Sequence, residues 1–314
     1  MRKFVIKIFL FAILFSISLS PLYLYFTYYE KMAHTCNTVS PYRQINRIHN
    51  MKDMDANVIV TGNSRAEGSY NDSILSDELG IKCINIGWSG YPFVHQYHVM
   101  LKTYFSQNKK PDYIIQEIGP WAFLDHVNPI YSLEMFPYLN QSNFHFLEEI
   151  CPEITKWDRF IMIRYIGKLA QIYNEILYIK GIEKKYPIRY GFKSNYIKKK
   201  QALERDSTIL NLFKNYIIEC KENNIELIFV CSPIHILEGQ RFFDMDGFWS
   251  IFNKIAKENN IMILNYQNLY GNDTTYFANS MHLNKYGRDC FSHKIAHDLD
   301  SLNIISARHN RHIH

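Results

Sequence analysis

The chain has 314 residues, of which 47% are hydrophobic and 21% charged, with a formal net charge of +5. It is too apolar for a disordered chain and long enough for one large α/β domain or two small ones. The mild basic balance does not argue for nucleic acid, and no zinc-knuckle spacing or RNA-binding signature is present, so no nucleic-acid partner is expected.

The N-terminus carries Arg2, Lys3 and Lys7, and then no charge appears from Ile8 to Tyr29. A helix needs about 20 apolar residues to cross a hydrocarbon core, and this run suffices. Tyr23, Tyr25, Tyr28 and Tyr29 crowd its far end, where aromatic rings favour the interface. Ser18-Leu19-Ser20 offers a small-x-small cleavage site, but Pro21 follows and the apolar run continues, which favours an uncleaved anchor over residues 1–29. The basic flank predicts a cytoplasmic tail and a body facing the periplasm or cell exterior, with membrane lipid as one partner.

Residues 30–55 are polar and read as a juxtamembrane linker with a short helix. An alternating pattern follows: strands at 58–60, 81–86, 112–115, 225–230 and 261–264, and helices at 73–79, 95–105, 209–222, 248–259 and 285–302. Strands alternating with helices predict a parallel sheet covered on both faces, a three-layer α/β/α domain of flavodoxin-like type over 56–306, with a short tail at 307–314. In such sheets ligands bind beyond the carboxyl ends of the strands. Gly62-Asn63-Ser64, Gly87-Trp88-Ser89-Gly90 and Gly119-Pro120-Trp121 each follow a strand's carboxyl end and would gather on one rim.

The interval 121–204 breaks this rhythm and reads as a helical insertion. Within it Trp157, Ile161, Tyr165, Leu169, Tyr173 and Leu177 recur at helical spacing, which predicts a helix packed on the core; a lid or a helix against the membrane are the other readings. A basic run follows (Lys180, Lys184, Lys185, Arg189, Lys193, Lys198, Lys199, Lys200) and reads as a solvated face or as a site for an anionic partner. The six cysteines, Cys36, Cys83, Cys151, Cys220, Cys231 and Cys290, show no metal-ligand spacing. Neither a metal nor a cofactor is expected.

The stretch Val58-Ile59-Val60-Thr61-Gly62-Asn63-Ser64-Arg65 ends a buried strand in turn residues, which either form a plain turn or hold Ser64 at the sheet rim as a nucleophile. A serine nucleophile needs a base within hydrogen-bond reach and a group that orients the base. His282, between the last strand and the last helix, is the candidate base. Together Gly62-Asn63-Ser64, Asn85-Ile86-Gly87-Trp88-Ser89-Gly90 and Asn279-Ser280-Met281-His282-Leu283-Asn284 with Gly287 resemble the motifs of the SGNH/GDSL hydrolase superfamily. The anchor and spacing are similar to its membrane-anchored branch, which includes the D-alanyl transfer protein and the alginate O-acetylation proteins.

The resemblance implies roles. Ser64 matches the nucleophile, with its own N–H as an oxyanion donor. Gly90 matches the second oxyanion glycine, and His282 the general base. Where the family has Asp three residues before that histidine, this chain has Asn279, an amide without charge; Asp273 is a nearby carboxylate that could substitute. Trp121 stands where a further oxyanion donor, an asparagine, is expected. Arg65 either pairs with an acid at the helix start or holds a phosphate or carboxylate of the substrate. The implied activity is that of an esterase or O-acyltransferase on an acylated cell-envelope glycan or polymer of a bacterial cell, working through an acyl-serine, with a multispanning acyl-donor protein as a partner. The alternative is an SGNH-fold protein impaired in catalysis that binds glycan or assists assembly.

Overall fold

A computed structural model of the chain describes residues 2–39, 42–89, 93, 96–119, 133–138, 156–165, 167–182, 207–235 and 245–305. Helices α1 (Arg2–Thr35) and α2 (Tyr42–Asn50) precede strand β1 (Val58–Thr61), helix α3 (Ser64–Ser69), helix α4 (Asp72–Leu79) and strand β2 (Cys83–Asn85). After a π-helical turn at Gln96–Leu101 come α5 (Lys102–Gln107) and β3 (Tyr113–Glu117), then α6 (Ile161–Arg164) and α7 (Leu169–Ile179). The chain continues through α8 (Ser207–Glu222), β4 (Glu226–Cys231), α9 (Met245–Asn259), β5 (Met262–Asn265), a short pair β6 (Phe277–Asn279) and β7 (His282–Leu283), and α10 (Lys285–Ser301).

The chain divides into two compact units, residues 1–47 with 129–187, and residues 48–128 with 188–314. The second holds a five-stranded sheet in the order β2-β1-β3-β4-β5, parallel throughout. Successive strand residues point to opposite faces, so one apolar run feeds two cores. Val58, Val60, Ile115, Ile228 and Val230 pack with Ala66 of α3, Leu75 of α4 and Phe291, Ile295 and Leu299 of α10. Phe229, between Ile228 and Val230, points the other way and meets Phe213 of α8 (5.6 Å, tilted) and Phe252 of α9 (5.7 Å, edge to face). The result is the three-layer α/β/α architecture that the alternating pattern predicts. Because β2 and β3 flank β1 on opposite sides, the chain reverses its winding at the carboxyl end of β1, which is where such sheets bind ligands.

The described residues of the first unit are largely helical. Helix α1 carries a span, Lys3–Thr35, long and apolar enough by length and composition to cross a membrane. It continues past Tyr29, into residues expected to be a linker. Up to Leu24 it is largely exposed; from Phe26 onward one side is buried against Phe136, Tyr165, Ile172 and Ile176. The single helix expected through Trp157–Leu177 is instead broken. A 3₁₀ turn (Lys156–Arg159), α6 and α7 replace it, with Gly167 between the two helices in the left-handed conformation (φ +77°). That break shifts the helical register, so Tyr165 is buried while Trp157, Leu169 and Tyr173 face outward instead of packing on a core.

Helix α10 begins against the 3₁₀ turn Thr274–Tyr276. Asn284 caps it, its side chain accepting from the Gly287 N–H (2.9 Å) while donating to the Thr275 carbonyl (2.7 Å). A Cβ on Gly287 would overlap the Tyr276 carbonyl oxygen, so the close approach requires glycine. Gly287→Ala is expected to lower stability by about 1–3 kcal/mol through overpacking, read as a fall of several degrees in the thermal midpoint.

Candidate active site

The turn Gly62-Asn63-Ser64 does more than reverse the chain. Gly62 has φ +147°, and a Cβ there would lie 2.7 Å from the Glu117 Cβ and 2.8 Å from the Ala66 Cβ. Only glycine permits a turn that tight beside β3. Asn63 then caps α3, its side-chain oxygen accepting from the Arg65 N–H (3.0 Å). Ser64 becomes the first helical residue, half-buried, at the winding reversal. Its N–H belongs to the first turn of the helix, where amides lack intrahelical acceptors.

Arg65 points the opposite way, into the protein. The residue is 1% exposed, and its guanidinium pairs with Glu117 at the end of β3 (3.3 Å). It also donates to the Ser232 carbonyl and to Ser232 Oγ (2.7 Å), just beyond the end of β4. Glu117 in turn accepts from Tyr70 Oη (2.7 Å), Ser232 Oγ (2.7 Å) and the Ser232 N–H (3.2 Å). Burial pushes the Glu117 carboxyl up, while Arg65, Ser232 and Tyr70 pull it back toward the charged form. Arg65 thus pairs with an acid, at the end of β3 and not at the helix start where one was expected, and its guanidinium is buried.

His282 reaches Ser64 from the β6–β7 hairpin. Its Nε2 lies 2.8 Å from Ser64 Oγ, and its Nδ1 lies 2.9 Å from Asn279 Oδ1. The same Oδ1 accepts the backbone N–H groups of Met281 (2.9 Å) and His282 (3.0 Å). Two backbone donors can face only an acceptor, so the amide oxygen, not the NH₂, is turned to the ring. Nδ1 therefore carries the proton and donates to Asn279, leaving Nε2 as a bare acceptor for the Ser64 hydroxyl. Burial of the imidazole, with the Arg65 charge nearby, pushes its pKa down to about 4.

Ser64, His282 and Asn279, three residues far apart or at fixed offset in the sequence, thus form one hydrogen-bonded line. Asp273 does not join it. The carboxylate caps the 3₁₀ turn by accepting from the Thr275 N–H (2.9 Å), and the ring position for which it was the substitute belongs to Asn279. Gly90 and Trp121 lie outside the described residues. Of the second motif, Asn85 is structural: it donates to the Ala66 (2.8 Å) and Tyr70 (3.1 Å) carbonyls and accepts from Gly87, tying β2 to α3. A Cβ on Gly87 would overlap the Glu67 backbone nitrogen, and the Glu67 side chain in turn accepts from the Ser89 N–H (3.0 Å). Sequence reasoning missed Glu117, Ser232 and Tyr70. The available signal was a carboxylate closing the apolar strand Tyr113-Ile114-Ile115, where only a paired charge is tolerated.

No family model matches the sequence, and no curated protein matches it. Solved structures do. An acetyl xylan esterase, AlAXEase, is 14% identical, with 78% of this chain and 98% of that one covered at a TM-score of 0.40. A GDSL-like lipase from Bacteroides thetaiotaomicron is 13% identical, with 78% and 88% covered at 0.36. A catalytic mutant of Axe2, an acetylxylan esterase from Geobacillus stearothermophilus, is 13% identical, with 77% and 92% covered at 0.36. Likeness at that level says nothing of activity or substrate. The chain's own geometry is a parallel 2-1-3-4-5 sheet with the serine turn after β1 and the histidine hairpin before the last helix.

Proposed function

We propose that the chain is a membrane-anchored serine esterase or O-acyltransferase of SGNH type, acting on an acylated glycan or polymer of the cell envelope. The observation that carries this reading is the unbroken line of hydrogen bonds from Ser64 through His282 to Asn279. Ser64 Oγ attacks the carbonyl carbon of the donor ester as its proton passes to His282 Nε2. The carbonyl oxygen becomes an oxyanion, stabilised by the Ser64 N–H and, following the motif, by the Gly90 N–H. The tetrahedral intermediate collapses, the alkoxide leaves with the proton from Nε2, and an acyl-Ser64 ester is left. Water or a sugar hydroxyl then attacks that ester with His282 again taking the proton, which restores Ser64.

The apolar span of α1 supports anchoring, and Arg2, Lys3 and Lys7 favour a cytoplasmic tail with the catalytic unit outside. A multispanning protein would supply the acyl group if transfer, not hydrolysis, is the outcome. A second reading, a glycan-binding or assembly protein with disabled chemistry, is favoured by one observation, the neutral Asn279. Asn279 orients the ring as a carboxylate would but adds no charge to stabilise the imidazolium that forms during attack.

Labelling of the full chain with a fluorophosphonate probe tests the nucleophile. Ser64→Ala is expected to abolish labelling and His282→Ala to slow it by about 10²–10⁴-fold. A native chain that fails to label, while Asn279→Asp labels, would transfer the lead to the binding reading.

The pH dependence tests the base. The His282 pKa is depressed from 6.5 to about 4, so the ring stays neutral and able to accept a proton well into mild acid. Labelling is therefore expected to persist as pH falls through 6.5 and to be lost only near about 4. The same depression means that the stability it contributes is complete above the unfolded-state value and lost as pH falls through the folded one. Asn279→Asp should move the acid limb upward by on the order of one pH unit and raise the rate above it. An unmoved limb would show that Asn279 does not govern the ring.

A further inference from the structure

Helix α1 is longer than a membrane requires. Its span Lys3–Thr35 covers 33 residues, and at about 1.5 Å per residue it exceeds the ~30 Å hydrocarbon core by roughly 20 Å. The surplus lies at the C-terminal end, which carries Glu30 and Lys31, charges that are costly inside hydrocarbon. Glu30 pairs with the fully buried Arg164 of α6 and accepts from Tyr165 Oη (3.0 Å). Tyr29 shares a hydrogen bond with Tyr42 (2.9 Å), which donates to Glu175 of α7 (2.7 Å). Within this unit the last turns of α1 are thus a built-in structural element, held by α6 and α7, and lipid can surround the helix only up to about Leu22–Phe26.

The covering segment also exposes large apolar side chains. Trp157, Phe160, Ile163, Leu169, Tyr173 and Ile182 are all exposed, with Phe160 at 59% and Tyr173 at 57%. Trp157 and Phe160 are in ring contact (6.0 Å), and exposed large apolar side chains grouped in this way are of the kind that marks interaction surfaces. Two lysines border it. Lys168 lies over the Phe136 ring (5.0 Å) and Lys180 over the Tyr28 ring (5.7 Å). Aromatic rings interleaved with ammonium groups suit the headgroup layer, where the ring and the lysine stem face the acyl chains and the charge faces phosphate.

We infer that the 157–182 segment is a membrane-seated collar against one side of α1, with Trp157, Phe160, Leu169 and Tyr173 immersed in the outer interfacial layer of the bilayer. The inference rests on the anchoring reading. On this view the broken helical segment fixes the depth of α1 and holds the exit of the anchor rigid at the lipid surface. A collar of this kind gains from apolar area in the interface together with attraction of Lys168 and Lys180 to anionic headgroups.

The test uses nitroxide labels on the full chain, reconstituted without other proteins in vesicles of phosphatidylcholine and phosphatidylglycerol. Single labels at Ile13→Cys, Phe160→Cys, Tyr173→Cys and Glu258→Cys, in a Cys151→Ser, Cys290→Ser background, report relaxation by oxygen, which concentrates in lipid, and by a nickel chelate, which stays in water. Ile13 should read as deep lipid and Glu258 as water. Phe160 and Tyr173 should show an oxygen-to-nickel ratio several-fold above Glu258 and below Ile13. If Ile13 is in lipid while Phe160 and Tyr173 match Glu258, the collar is overturned and that face belongs to a protein partner. If Ile13 itself reads as aqueous, the anchor fails and the collar with it.

Discussion

The candidate site depends on a buried ion pair. Arg65 and Glu117 face each other at the point where the sheet reverses its winding, each side chain 1% exposed. Taking two charges out of water is expensive, and their attraction offsets that only when the remaining donors and acceptors are satisfied. Here Tyr70 and Ser232 satisfy the carboxylate, and the Ser232 carbonyl and hydroxyl receive one guanidinium nitrogen, Nη2. The pair joins the first turn of α3 to the ends of β3 and β4. Because Arg65 is adjacent to Ser64, locking its side chain inward fixes the serine outward. Removing either partner would leave an uncompensated buried charge, so the network has little freedom to rearrange.

The same guanidinium acts on the other side of the serine. Its charge, added to burial, disfavours a charged His282. Asn279 reinforces this bias, since it holds the ring through an amide oxygen and brings no negative charge. The ring is therefore well oriented but weakly basic. A weak base is always free to accept at neutral pH but drives proton transfer less strongly. Orientation and basicity, usually delivered together by a carboxylate, are separated in this chain.

The helical unit is also fixed by buried polar groups. Tyr29, Glu30 and Ala33 on the last turns of α1 meet Tyr42, Arg164, Tyr138 and Asn46, in contacts that are largely polar. Polar contacts specify one arrangement of a helix where apolar packing alone would allow sliding. The apolar side chains left over on α6 and α7 are outward-facing because Gly167 breaks the register that would have buried them.

The residue pattern alone determined the parallel α/β sheet, since strand and helix periods alternate plainly and a parallel sheet needs a crossover between strands. It also determined an N-terminal helix long and apolar enough to cross a membrane, from an uncharged run of sufficient length, and Ser64, His282 and Asn279 as candidates, from turn chemistry at strand ends and a resemblance in three short motifs. Only the tertiary structure decided that Asn279, and not Asp273, meets the ring, because the hairpin's backbone amides orient one side chain while the other caps a turn. It alone revealed Glu117, Ser232 and Tyr70, which lie at the ends of β3, β4 and α3 and become neighbours only when β1, β3 and β4 align. It alone corrected the helix expected through Trp157–Leu177, because helical spacing reads the same whether or not a glycine breaks the register. Spacing along a chain reports which side chains can share a face; which face meets which is settled by packing.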